Sequence, residues 1–229
     1  MVLRMAAAAG PDCADHGRRG LLLDIGGVVL RGGDALPRLL SNVEPGLRAE
    51  VERLGVATGR DWLWQRMLRR EVSEREYWNR RAADLGATLG QAWDARAMFA
   101  RLGAADVGYV NDAVVSLMVD AKAAGVTLCA LTNDLIDFHG QRWVDEQEWL
   151  ALFDTVIDAS VTGVMKPDPR AYAAAALALG APPERIVYLD DLPWNVEGGR
   201  RAGFQAIEVS YAEPGDAVAA ARSLLALAA

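Results

Sequence analysis

The segment Leu21–Leu30, LLLDIGGVVL, carries a single charged residue, Asp24, in an otherwise apolar and glycine run. A run that is apolar at odd and even positions alike suits a strand covered on both faces, as in a parallel sheet. Comparable runs recur at 126–133 (VTLCALTN), 153–160 (FDTVIDAS), 185–191 (RIVYLDD) and 204–210 (FQAIEVS). Helical patterns separate the later runs. Asp168 can cap a helix that Pro169 opens and Gly180 ends, a second helix fills 193–202 before Gly203, and an alanine-rich third fills 214–227. Strands alternating with helices predict an α/β fold with a parallel sheet.

Almost a hundred residues separate the first strand from the second, and none of them reads as strand. They hold helical pieces at 46–54 closed by Gly55, at 60–70, and at 73–85 closed by Gly86, with Ser73 and Glu76 at capping-box spacing. Leu63, Trp64, Met67 and Leu68 share one helical face, as do Tyr77, Trp78, Arg81, Ala82 and Leu85. The expected division is a flexible leader at 1–19, an α/β core at 20–34 and 106–229, and a helical insert at 35–105.

At 229 residues the chain buries enough surface to need no covalent staple. Its two cysteines, Cys13 and Cys129, lack the spacing of a disulfide scaffold or a zinc site. A net charge of −7 excludes a large nucleic-acid footprint. The apolar runs fall short of the ~20 residues that span a bilayer. These features predict a cytoplasmic protein with no membrane or nucleic-acid partner, as monomer or homodimer. The insert is the less acidic part: residues 42–105 carry 11 arginines against 9 acids.

Four polar groups fall at the C-terminal ends of the expected strands, where open α/β sheets bind ligands. Asp24 sits in a buried run and needs a partner or a ligand there. Gly26 and Gly27 free the following backbone to approach an anion. Thr132-Asn133 ends the second strand, Lys166-Pro167 follows the third, and Asp190-Asp191 ends the fourth, with Asn195 just beyond. Taken singly, the acidic pair suits a helix cap as well as a metal site.

The ordered set Asp24, Thr132, Lys166 and Asp190-Asp191 resembles the haloacid dehalogenase superfamily. The resemblance runs from Leu21 to the C-terminus. It rests on LLLDIGGVVL, LTN, the Lys-Pro of VMKPDP, and YLDDLPWNVEGGRRAGF. The insert looks like that family's C1-type cap, whose residues choose the substrate. The resemblance implies a Rossmann-like core and a Mg2+-dependent phosphohydrolase acting on a small phosphorylated metabolite, a sugar phosphate or similar phosphomonoester. By the same resemblance Asp24 is the nucleophile and forms an aspartyl-phosphate. The metal falls to the Asp24 carboxylate, the Gly26 backbone carbonyl and Asp191, with Asp190 a ligand or its support. Thr132 and the backbone near Gly26, Gly27 and Asn133 hold the phosphoryl oxygens. Lys166 offsets developing charge.

One position departs from the family pattern. Gly26 stands where most phosphatases of the family carry a second Asp, which protonates the leaving group. Three readings follow: another group or water supplies the proton, with Asp134, Asp137 and His139 nearest in sequence; the enzyme is slow or takes esters whose leaving groups need no proton; or the chain is a silent binding or regulatory relative. A metal-independent dehalogenase is disfavoured by the retained acidic pair. A phosphonate-cleaving branch is disfavoured because 31–121 contains no lysine for imine chemistry. In the insert, Arg66, Arg69 and Arg70 are candidates for a second anionic group, and Trp62, Trp64, Trp78 and Trp93 for stacking on a substrate.

Overall fold

A computed structural model describes residues 17–33, 35–105, 108–210 and 214–227. Most of the expected leader, with Cys13, lies outside these residues. The strands β1 (Gly20–Leu23), β2 (Thr127–Thr132), β3 (Thr155–Asp158), β4 (Ile186–Asp190) and β5 (Gln205–Glu208) form one parallel sheet in the order β3-β2-β1-β4-β5. β1 is central, and its Leu22 pairs with Cys129 on one side and Tyr188 on the other. β1 and β4 are buried along their whole length, as the apolar runs predict.

The first run is a strand for less than half its length. β1 stops at Leu23, and Asp24–Leu30 folds into a buried turn closed by Leu30 N–H donating to Ile25 O at 2.8 Å. Gly27 adopts φ +74°, a left-handed conformation that an extended strand cannot contain. Ile25, Val28, Val29 and Leu30 stay buried, so the apolar pattern reported burial and not backbone shape. The helix Pro169–Leu179 forms as expected. The Asp168 side chain accepts from Arg170 N–H at its start, and Gly180 closes it at φ +60°. The helix after β4 is Pro193–Arg201, and the terminal helix Pro214–Leu224 stops three residues early.

The chain forms two compact units. Among the described residues, one comprises those up to Leu30, 111–135 and 144 onward, and contains the sheet; the other comprises those within Arg31–Val110 with Ile136–Trp143. The second unit is helical, with Ala35–Val43, Arg48–Leu54, Trp62–Leu68, Glu74–Thr88 and Ala95–Ala104. Its first and last helices were not read from the sequence. Gly86 does not end the third expected helix, which runs on to Thr88. A Cβ at Gly86 would lie 2.7 Å from Gln91 O and 2.8 Å from the Trp93 ring, so this glycine serves close packing. Only half of the capping box forms. Ser73 Oγ accepts from Glu76 N–H at 3.1 Å, and the Glu76 carboxylate pairs with Arg80.

A buried charge pair ties this helical unit together. Asp61 (0% exposed) caps Trp62–Leu68 by accepting from Leu63 N–H at 2.9 Å and Trp64 N–H at 3.2 Å. Its other oxygen accepts from Arg81 Nε at 2.9 Å and Tyr77 Oη at 2.8 Å. Tyr77 Oη in turn accepts from the N–H of Ala57, which holds a positive φ of 55°. Trp64, Trp78 and Trp93 are buried within this unit, and only Trp62 of the four tryptophans named above is exposed, at 58%. Arg66 and Arg69 both pair with Glu71, at 2.9 and 2.7 Å, which blunts their appeal as anion ligands. Asp61→Ala removes the helix cap and leaves buried Arg81 with only the half-exposed Asp84, 2.7 Å away, as counter-ion, so it should destabilise the helical unit by about 3 kcal/mol, read as a lower urea midpoint for its unfolding.

Candidate active site

The candidate residues converge at the C-terminal ends of β1, β2 and β4, all within the sheet-bearing unit. Asp24 follows β1 directly and stays in the ladder through its N–H, which donates to Leu189 O at 2.9 Å. Its Oδ1 accepts from Ile25 N–H at 2.6 Å. Its Oδ2 faces Lys166 Nζ at 2.8 Å, and the same ammonium donates to Asp190 Oδ2 at 2.6 Å. Lys166 is one of only two lysines in the chain and is 4% exposed.

Two further elements fix that lysine. Asn133, at the end of β2, clasps its backbone: Asn133 Oδ1 accepts from Lys166 N–H at 2.8 Å, and Asn133 Nδ2 donates to Lys166 O at 3.3 Å. From the other side Asp190 holds the ammonium, and Asp190 is itself saturated with donors. Its Oδ1 accepts from Leu192 N–H at 2.9 Å and Asn195 Nδ2 at 3.1 Å, and its Oδ2 accepts from Tyr188 Oη besides Lys166. Tyr172 Oη donates to Asn195 O at 2.9 Å and anchors the start of the following helix. The sequence reading missed Tyr188 and the side-chain role of Asn133. A period-two signal was available for Tyr188, because residues 188 and 190 of one strand share a face.

Thr132 is buried at the last position of β2, in register with Asp158. Asp158 caps the next turn by accepting from Ser160 N–H at 2.8 Å. Of the three acid candidates beyond Thr132, Asp134 is buried in the same unit. Asp137 and His139 belong to the helical unit. There Asp137 pairs with Arg75 at 2.7 Å, and His139 packs on Trp143 with ring centroids 4.4 Å apart. Burial, with Arg96 nearby, lowers the His139 pKa to about 4, so it is a neutral group enclosed among aromatics. Both therefore have local work in the helical unit.

Electrostatics argue for a cation. Asp24, Asp190 and Asp191 place oxygens within 4.8 Å of one another. Burial raises the Asp24 pKa well above the usual carboxylate range; Lys166 opposes the shift, and Asp190 and Asp191 add to it. Burial also works against the charge on Lys166, but Asp190 and Asp24 outweigh it and keep the ammonium protonated. With all three carboxylates ionised, one ammonium leaves two negative charges in excess, which one divalent cation would balance. Hard oxygen donors suit Mg2+, Ca2+ or Mn2+. Asn195 Oδ1 is buried without a hydrogen-bond partner among the described residues. Exchanging the amide's atoms would set its oxygen against the Asp190 carboxylate, so the orientation is secure.

The turn after Asp24 is shaped for this cluster. A Cβ at Gly27 would lie 2.2 Å from Asp191 Oδ2, so Asp191 occupies space that any other residue would fill. A Cβ at Gly26 would meet nothing within 4 Å. Gly27→Ala should therefore displace Asp191 and weaken divalent-cation binding by more than about tenfold, while Gly26→Ala leaves it nearly unchanged; titration calorimetry on the two variants tests the contrast.

Comparison with known proteins gives a consistent picture. A family model described as haloacid dehalogenase-like hydrolase matches residues 19–203. A bifunctional epoxide hydrolase 2 of Rattus norvegicus is 29% identical over 127 residues, which are 54% of this chain and 23% of that protein. A phosphatase of Mycobacterium tuberculosis is 34% identical over 87 residues, 38% of this chain and 40% of its own length. The chain thus spans two fifths or less of these curated relatives. Among solved structures, an L-2-haloacid dehalogenase of Xanthobacter autotrophicus superposes with a TM-score of 0.54 at 19% identity, covering 84% of this chain and 77% of that one, a likeness of fold.

Proposed function

Since the chain belongs to the haloacid dehalogenase-like hydrolases, we propose that it hydrolyses a small phosphomonoester, with Asp24 as nucleophile and Mg2+ at the acidic cluster. The observation that carries this reading is the cluster of three carboxylates, two of them buried and sharing one ammonium and the third, Asp191, half-buried beside them. Asp24, Asp191 and the Gly26 carbonyl would hold the metal. Asp190, its oxygens filled by four donors, would support Lys166 from behind. When bound, Mg2+ supplies the positive charge that lets an anionic phosphoryl group approach a carboxylate.

The chain's residues then do the following work. A carboxylate oxygen of Asp24 bonds to phosphorus as the P–O bond to the alcohol breaks, leaving an aspartyl-phosphate. With no carboxyl group at Gly26, the leaving oxygen takes its proton from water. A water molecule next attacks the phosphorus, releases inorganic phosphate and restores Asp24. Lys166 and the Thr132 hydroxyl offset charge on the phosphoryl oxygens throughout. Carbon–halogen substitution is disfavoured because halide departure needs no metal, whereas this chain gathers three carboxylates suited to hold one. A sugar phosphate or similar metabolite in the cytoplasm, met without membrane or nucleic acid, fits the net charge of −7 and the lack of a membrane-crossing helix among the described residues.

Gly26 supports a second reading, a protein that kept the site for binding and lost turnover. Phosphate release from a panel of phosphomonoesters, with and without Mg2+, separates the two. Turnover that requires Mg2+ and disappears in Asp24→Asn is the expected result, and folded protein inactive on every ester would overturn it. The open space at Gly26 admits a side chain, so Gly26→Asp should restore a proton donor and speed hydrolysis of alkyl esters by about tenfold or more, with little gain on p-nitrophenyl phosphate.

A further inference from the structure

Tyr188 is a buried tyrosine of β4 whose hydroxyl donates to Asp190 Oδ2, the oxygen that also accepts from Lys166 Nζ. We infer that Tyr188 is a positioning residue that keeps Lys166 shared between Asp24 and Asp190. The inference rests on the phosphohydrolase reading for its effect on rate, and on geometry alone for its effect on the lysine.

The ring is immobilised first. Tyr188 is fully buried and packs edge-on against Tyr172 and Phe204, with centroids 6.0 and 6.4 Å apart. Gly199 lies so close that a Cβ there would fall 2.4 Å from the ring. A phenylalanine would fill this apolar nest equally well. The hydroxyl is thus the one part of the side chain that packing does not require, and a buried hydroxyl is costly unless it is bonded. Its proton goes to the carboxylate that anchors the lysine, and its oxygen also meets the Tyr172 hydroxyl.

The consequence follows from charge balance. Lys166 Nζ stands 2.6 Å from Asp190 and 2.8 Å from Asp24, a nearly even division. The phenol draws charge from Asp190 Oδ2 and weakens that oxygen's hold on the ammonium. Without the phenol, Asp190 Oδ2 keeps Lys166 as its main donor, and the ammonium moves toward Asp190 and away from Asp24. The group meant to meet the phosphoryl oxygens is then displaced, while substrate contacts outside this network are untouched.

Tyr188→Phe tests the inference by two independent readouts. The chain has only Lys122 and Lys166, so lysine labelled with 13C at Cε yields two resolvable signals. In metal-free protein, Tyr188→Phe should shift the Lys166 signal and leave Lys122, exposed and paired with Asp154 at 2.7 Å, in place. In the Mg2+-loaded enzyme kcat should fall about tenfold with KM nearly constant, the scale of one lost hydrogen bond to a charged group. An unmoved Lys166 signal overturns the inference, whether or not activity changes. A shifted signal with unchanged kcat in an active enzyme overturns the catalytic half. If the wild-type protein hydrolyses no ester, the phosphohydrolase reading fails, and the Lys166 shift alone decides the positioning. Tyr188→Met, also without a hydroxyl, repeats both measurements should the Phe variant fail to fold.

Discussion

One ammonium, that of Lys166, holds the centre of this protein in place. It is buried between two carboxylates, at 2.8 Å from Asp24 and 2.6 Å from Asp190. An unpaired charge in that position would be prohibitively expensive, so each partner needs the others. The same residue joins three strand ends, two through its ammonium and one through its backbone. Asp24 follows β1, Asp190 ends β4, and Asn133 beyond β2 clasps the lysine's backbone through two hydrogen bonds. Strand order places β1 between β2 and β4, and that adjacency makes the convergence possible.

Glycines shape the space around this pair. Gly27 gives up a side chain so that Asp191 can approach the turn after β1. Gly198 and Gly199 give up theirs so that Tyr172 and Tyr188 can lie beneath the helix Pro193–Arg201. The two tyrosines carry hydroxyls from the apolar core up to Asn195 and Asp190. Core packing and site geometry are therefore one problem here: the rings are set by close contact with glycine, and their hydroxyls set the polar groups. In the helical unit, the Asp61–Arg81 pair organises a cap, a tyrosine and a strained turn around one buried carboxylate.

Much of the fold was legible because burial leaves a direct mark on composition. The five apolar runs fall on the five strands, and the Asp168, Pro169 and Gly180 signals mark the ends of their helix. Where the reading slipped, the cause was a glycine or a charge with a tertiary task. Leu21–Leu30 looked like one strand because its residues are buried, but Gly27 turns the chain after Leu23. Gly86 looked like a helix end, but it clears space for Trp93. Arg66 and Arg69 looked available for an anion, but Glu71 takes both.

The sequence by itself determined the alternation of strands and helices, the helical insert, and the polar residues that punctuate the strand ends. Those features are local: they follow from apolar periodicity, from capping chemistry and from the cost of a lone acid in a buried run. Only the tertiary structure decided which polar groups meet. Asp24 and Lys166 are 142 positions apart, and no periodicity relates them; the order of strands in the sheet does. It also decided that Ile136–Trp143 packs with the helical unit, so Asp137 and His139 take partners there. Tyr188 shows the limit most clearly. Its apolar neighbours in β4 mark it as core, and only the fold reveals that its hydroxyl reaches Asp190.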